Sequence, residues 1–348
     1  MDSRAQRFVD DVRLVDRSQL LQRSPIFAGV VCVALSLYCV RYGNPLQAAP
    51  LCIGALFAVI ADRGEPPAQR WRTMLWTTLW MTLAALIGGF AAQLNGVEVL
   101  VAAVVALVCG FVGAAGMRAA LVGLLTLIVY TVNAGAPESD LQAIDSAGLV
   151  CVGALLMTAV TVLPDLILHR AALMTRDPIE IPAISRLRSR LSWDDDFVRH
   201  AARLSLAIAV ASVIAHATGW QHEYWIPMSV AWMSKPNANG TVTRVHQRVA
   251  GTVAGVAVGA MLILGLSLPI WAAILLVGIA ACVTSAFMWA NYPTAVAGVT
   301  TFVFALFDLA HDFNGDTAVL RLAATVIAAV IVLIATRLWP PRPTQTPT

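Results

Sequence analysis

The chain has 348 residues, of which 59% are hydrophobic and 12% charged, with a formal net charge of +3. A soluble globular protein carries about 25% charged residues, so this composition leaves too little polar surface to clothe even one or two soluble domains. The apolar runs continue for roughly 15–20 positions instead of alternating, which excludes an outer-membrane barrel and predicts an all-α polytopic membrane protein.

Residues 1–23 mix Arg4, Arg7, Arg13, Arg17 and Arg23 with Asp2, Asp10, Asp11 and Asp16, too long and too mixed for the basic region of a cleavable signal peptide. Phe8, Val12 and Val15 recur at roughly helical spacing, which predicts a short amphipathic helix on the cytoplasmic membrane surface, with a frayed polar tail as the alternative. Apolar segments follow near 26–40, 45–61, 74–93, 97–115, 118–133 and 143–163. A polar stretch over 165–198 interrupts them, and segments resume near 200–217, 221–235, 248–268, 270–289, 292–307 and 318–338. The expectation is about twelve transmembrane helices, divided into a unit over 24–164, a cytoplasmic linker over 165–198, a second unit over 199–340 and a short tail over 341–348.

Arginine and lysine gather before the first span, at 63–72, at Arg118, throughout 165–203, at 235–248 and at the C-terminus. The intervening loops carry Glu98, then Glu138, Asp140 and Asp145, then His222 and Glu223, then Asp308, Asp312 and Asp316. Positive charge marks the cytoplasmic side, so both termini and the linker are expected there. Arg41, and Arg321 just inside the last span, break the alternation.

Shifting the first half by 176 residues aligns Arg23 with Arg199, Gly43 with Gly219, Gly64 with Gly240, Arg72 with Arg248 and Gly89 with Gly265. Six spans in each half would make two parallel six-helix repeats about an axis along the membrane normal. The second span of each half contains proline, Pro45 and Pro50 in one and Pro227 in the other. Short broken segments in matching positions point to a transport site; a tilted helix with a tolerated kink is the competing reading. Re-entrant second segments would instead give five crossings per half and an inverted repeat.

Six cysteines fall inside apolar runs with no CxxC and no Cys/His cluster, and read as small buried residues. Gly251, Gly255 and Gly259 form a small-xxx-small stripe, a helix-packing device first and a pathway lining second. Ser192 and Asp195 suggest a capping box before a helix starting near Asp196. There is no GxxxxGK[ST], HExxH or GxSxG motif, so the chain is not expected to be an enzyme and calls for no cofactor and no metal.

The most informative stretch runs from Tyr224-Trp225 through Pro236 to Thr241, Arg244, Arg248, Gly251, Thr252 and Gly255. A Tyr-Trp opening the second helix of a six-helix unit, a proline after its end and a Thr-x-x-Arg…Arg-x-x-Gly-Thr-x-x-Gly opening of the third resemble the fusaric acid resistance and aromatic acid exporter family. The plant aluminium-activated malate channels are similar more distantly. The first half keeps Arg72 but has Leu75 and Leu79 where the second has Gly251 and Gly255. Larger family members carry substantial cytoplasmic domains, for which this sequence offers only the linker and a short tail.

The resemblance implies an inner-membrane exporter of small organic anions, aromatic carboxylates above all, driven by the proton gradient. A passive organic-anion channel and a non-transporting scaffold or partner subunit are the alternatives. Guanidinium forks suit carboxylates, so Arg72 and Arg248 are the expected anion-binding pair at the cytoplasmic mouth, assisted by Lys235 and Arg244. Arginines that merely set topology would look the same. Tyr224 and Trp225 are candidates for stacking on an aromatic substrate at the outer end, and His216 and Asp308 for proton coupling. The expected partners are the organic anion and the bilayer, with no nucleic acid; a homo-oligomer or a periplasmic efflux partner fits the same reading.

Overall fold

The computed structural model describes residues 3–13, 15–17, 20, 24–63, 67–94, 96–136, 139–168 and 183–339. Arg23, Gly64, Glu138, residues 169–182 of the expected linker and the expected tail lie outside the described residues. The described residues are helical, with no strand among them. In chain order the helices are α1 (Ser3–Arg13), α2 (Ser24–Tyr42), α3 (Ala48–Ala61), α4 (Pro67–Ala91), α5 (Glu98–Val112), α6 (Met117–Ala134) and α7 (Asp140–Leu168). A short α8 (Ala183–Ser189) precedes α9 (Asp196–Thr218), α10 (Trp225–Met233), α11 (Ala238–Ala260), α12 (Ile270–Phe287), α13 (Tyr292–Leu309) and α14 (Gly315–Leu338). Ten helical stretches are long and apolar enough to cross a membrane. The second helix of each half is shorter: Pro45–Ala61 with its leading 3-10 turn, and the nine-residue α10.

The prolines explain the shortness without a kink. Asn44 caps the leading turn by accepting from Leu46 N at 3.0 Å. Pro50 and Pro227 then fall at the third position of α3 and α10. First-turn backbone N–H groups have no intrahelical acceptor, so proline there removes no helical hydrogen bond. The predicted mid-helix break is therefore absent. Helix α3 leads away from the cavity-mouth end described below, where Asn44 lies, to Asp62, which accepts from Ser24 Oγ at the start of α2 (2.6 Å).

Packing pairs recur between the halves. α3 lies on α7 as α10 lies on α14; α4 lies on α6 and α7 as α11 lies on α13 and α14. The first helix of each half crosses to the other half, α2 onto α12 and α9 onto α5. Small residues permit these approaches. A Cβ on Gly29 would meet Gly278 O at 2.9 Å, and one on Gly110 would meet Ala201 Cα at 2.9 Å. The glycine stripe of α11 is a packing device of the same kind, with Gly255 facing Ala297 O and Thr300 of α13. Leu100, Val104 and Val108 of α5 and Val326 and Val330 of α14 are exposed on outer faces, as lipid-facing positions require.

At one end α1 docks on α11 and the turn before α13. Asp11 accepts from Thr243 Oγ1 (3.2 Å) and lies 3.0 Å from His246 Nδ1, while Asn291 Nδ2 donates to Val12 O at 3.2 Å. Asp62 and Asp165 both pair with Arg70, at 3.4 and 3.2 Å, tying the starts of α2 and α4 to the end of α7. Helix α9 starts at Asp196 as expected, but by a simpler cap: Asp195 alone accepts from Phe197 N at 2.8 Å, and Ser192 Oγ turns to Asp194 N.

Candidate anion-binding cavity

A cavity of about 890 Å³ opens at the end opposite α1 and runs inward between the halves. Its mouth is formed by the α2–α3, α6–α7 and α9–α10 connections, where Asn44, Gly135 and Glu223 line it. Its walls come from the two short helices, through Phe57 of α3 and Trp225, Met228 and Trp232 of α10, and from Phe302 and Phe307 of α13. Both short second helices thus contribute apolar residues to the cavity wall.

Two arginines give this apolar chamber its charge. Arg248 is 1% exposed and Arg321 4%, yet both line the cavity. Arg248 lies ten residues into α11, because that helix begins early with the polar stretch from Ala238 to Gln247. At a rise of about 1.5 Å per residue this places it about 15 Å from the helix start, in the interior and not at a cytoplasmic mouth. Its Nη1 donates to Tyr292 Oη at 3.4 Å, its Cζ lies 5.6 Å from the Trp232 ring, and its Nε has no hydrogen-bond partner among the described residues. Arg321 lies six residues into α14 with Cζ 5.1 Å from the Trp225 ring, and its Nη1 is also without a hydrogen-bond partner among the described residues. The two guanidiniums are near enough to repel each other.

Neither arginine has a carboxylate partner within ion-pair distance among the described residues. A buried cation costs several kcal/mol unless paired, and an aromatic face returns about 0.5–2 kcal/mol of that. The arrangement therefore favours an anion entering the cavity. Its lining carboxylates, Asp145 and Glu223, stand near the mouth, and Glu223 lies 3.7 Å from His216 Nδ1. At the same rim His222 stacks on Phe307 with centroids 4.4 Å apart. Burial pushes its imidazole below its ordinary value against the upward pull of Asp312, whose Oδ2 lies 3.4 Å from its Nε2.

The cavity brings together Tyr224, Trp225, Arg248 and His216 of the residues picked from sequence. Lys235 and Arg244 do not line it; they lie beyond Tyr292, toward the α1 end, with the Arg244 Cζ 3.5 Å from the Tyr292 ring centre. Asp308 is not among the lining residues either, and His216 is an exposed rim residue. The expected pairing of Arg72 with Arg248 is not formed. Arg72 lies five residues into α4, about 7.5 Å from its start, and its guanidinium rests 5.3 Å from its neighbour Trp71, outside the cavity. Sequence register aligned the two helices but not the depths of their arginines. Arg321 was visible as a charge out of place, and its meaning required the fold. Arg203 gave no signal: buried in α9, it donates to the carbonyls of Lys235 (2.8 Å), Pro236 (3.1 Å) and Trp339 (3.0 Å), closing the α1 end.

Ten helices long and apolar enough to cross a membrane, with a cavity between the halves lined by two buried arginines, define a polytopic helical membrane protein. Within it, residues 208–335, from α9 through α14, are fusaric acid resistance protein-like. The chain is 29% identical over 156 residues to the inner membrane protein YccS of Escherichia coli K12, covering 44% of this chain and 22% of that protein. It is 31% identical over 163 residues to the uncharacterized E. coli protein YhfK, covering 46% and 23% respectively. A third relative, the uncharacterized protein ORF2 of Neisseria gonorrhoeae, is 41% identical over 75 residues, 22% of this chain and 18% of that protein. These matches span about a fifth of the relatives' own lengths. No solved structure is significantly similar to the chain.

Proposed function

We propose that the chain is an inner-membrane transporter that exports small organic anions, aromatic carboxylates above all, using the proton gradient. The observation that carries this reading is the pair Arg248 and Arg321, buried, without carboxylate partners among the described residues and lining a cavity walled by Phe57, Trp225, Trp232 and Phe302. A guanidinium binds a carboxylate through charge-assisted hydrogen bonds, and the aromatic walls accept a planar ring. The segment from α9 to α14 that supplies both arginines is the one that is fusaric acid resistance protein-like.

The architecture of the proposal is two parallel six-helix repeats, with twelve crossings and the α1 end cytoplasmic. It is supported by the recurrence of packing pairs and by the course of α3 from the cavity mouth to Asp62 beside the start of α2. The cavity then faces the periplasm, and the arrangement corresponds to an outward-open transporter. The test is efflux of benzoate from proteoliposomes under an imposed pH gradient. Wild type is expected to transport, and Arg248→Gln to slow the flux tenfold or more. Equal rates in protein-free liposomes and in wild type would remove the transport reading.

A further inference from the structure

The two cavity arginines stand at different depths along one helix face. Trp225, Met228 and Trp232 of α10 recur at helical spacing and all line the cavity. The ring centre of Trp225 lies 4.9 Å from that of His222 at the rim, which makes it the outer end of this face. At a rise of about 1.5 Å per residue, Trp232 lies about 10 Å further along α10. Arg321 of α14 reaches the outer ring, its Cζ 5.1 Å from the Trp225 centre, and Arg248 of α11 reaches the inner one, 5.6 Å from that of Trp232. The α10 wall between them is Met228, and Phe302 lines the same chamber. The order along the cavity is cation, apolar spacer, cation. Each guanidinium keeps one N–H without an acceptor among the described residues, Nε of Arg248 and Nη1 of Arg321. The lining carboxylates, Asp145 and Glu223, form no ion pair with either arginine.

We infer that the cavity selects dianions whose two acid groups are held apart by a flat apolar spacer, one acid on Arg321 and the other on Arg248. The inference rests on the organic-anion reading above and narrows it. A single carboxylate brings one charge against two, and the paired hydrogen bonds of one arginine fork already use both of its oxygens. It therefore leaves the second guanidinium buried and under-satisfied, which costs affinity. A second acid removes that cost, whereas an ester in its place supplies neither charge nor fork, so the site discriminates by what it leaves unpaired. Spacing selects as well. Subtracting a hydrogen bond of about 2.8 Å at each end from a separation of about 10 Å leaves room for acids on opposite sides of one benzene ring. The ring then lies against Met228 and among the aromatic walls, where thioether and aromatic contacts are favourable.

The experiment is calorimetric titration of the full chain in phosphatidylcholine nanodiscs at pH 7 with four probes: benzoate, benzene-1,4-dicarboxylate, its monomethyl ester and benzene-1,2-dicarboxylate. The 1,4-diacid should bind about tenfold or more tightly than its ester, which matches it in size and carries one charge; that margin is the worth of a charged hydrogen-bonded group. The ester and benzoate should agree within about threefold, and the 1,2-diacid, with its charges on adjacent carbons, should fall short of the 1,4-diacid by about threefold or more. In Arg321→Gln and in Arg248→Gln every probe should weaken, and the advantage of the 1,4-diacid over its ester should shrink to within about twofold. The wild-type comparison needs no substitution, so it decides even where a variant fails to fold. A 1,4-diacid no tighter than its ester, a 1,2-diacid as tight as the 1,4-diacid, or an advantage that survives in either variant would overturn the inference. If benzoate binds and the diacid has no advantage, the organic-anion reading stands and only this inference falls; if none of the four binds, both fall.

Discussion

At the residue scale the decisive property is a cation held in an apolar wall without a counter-ion. Arg248 meets that description and Arg72 does not, although the repeat register sets both in the third helix of their half. Benzoate affinity should therefore be insensitive to Arg72→Gln, staying within about twofold, and should fall tenfold or more in Arg248→Gln, since a charged hydrogen bond is worth roughly 1.5–3 kcal/mol. Arg248→Lys should recover part of the loss, because an ammonium lacks the planar fork. Equal losses at positions 72 and 248 in an isothermal titration would restore the symmetric pair that the sequence suggested. The reason sequence misjudged Arg72 is geometric. A repeat register aligns the two positions but does not say which side chain reaches the space between the halves: Arg248 lines the cavity, whereas Arg72 rests on Trp71 outside it. Arg321 was legible as an exception to the charge alternation, and its partner ring Trp225 as part of a motif; their contact across α10 and α14 was not.

At the scale of elements, the helices and most of their boundaries were readable from apolar runs, prolines and glycines, because each is a local property. The tertiary consequence of each small residue was not. Gly255 illustrates this: a side chain there would press on the Ala297 carbonyl at 2.7 Å, so α11 and α13 touch backbone to backbone. Gly255→Leu is expected to part them and destabilise the detergent-solubilised protein by about 1–3 kcal/mol, read as a lower melting temperature. Gly148, with nothing near its absent Cβ, is the control, and Gly148→Ala should melt as wild type does. The Asp62–Arg70–Asp165 cluster was invisible beforehand, since charges near helix ends look the same whether solvated or buried. Asp62 is 1% exposed. Removing one partner of a buried ion pair costs about 3–5 kcal/mol, so Asp62→Ala should lower the yield of folded protein sharply in size-exclusion profiles, whereas exposed Asp140→Ala should not.

At the scale of the molecule, the membrane class followed from composition alone, while the cavity could not be found without the fold because its lining comes from both halves. Positive charge on the α1 side gives the proposed orientation its physical basis. Cysteines placed at Ser139 and Gly315, beside the cavity mouth end, should react with an impermeant maleimide in whole cells, and one at Ser185 should not. The opposite pattern would invert the orientation and turn the cavity to the cytoplasm. The most direct measurement concerns the cavity floor itself: tryptophan fluorescence of the full chain in nanodiscs, titrated with benzoate. Trp225 and Trp232 lie on Arg321 and Arg248, so a carboxylate bound between them should change the emission. The account predicts a saturable change in wild type and in Arg72→Gln, displaced to at least tenfold higher benzoate in Arg321→Gln. A wild-type titration curve in Arg321→Gln would contradict it.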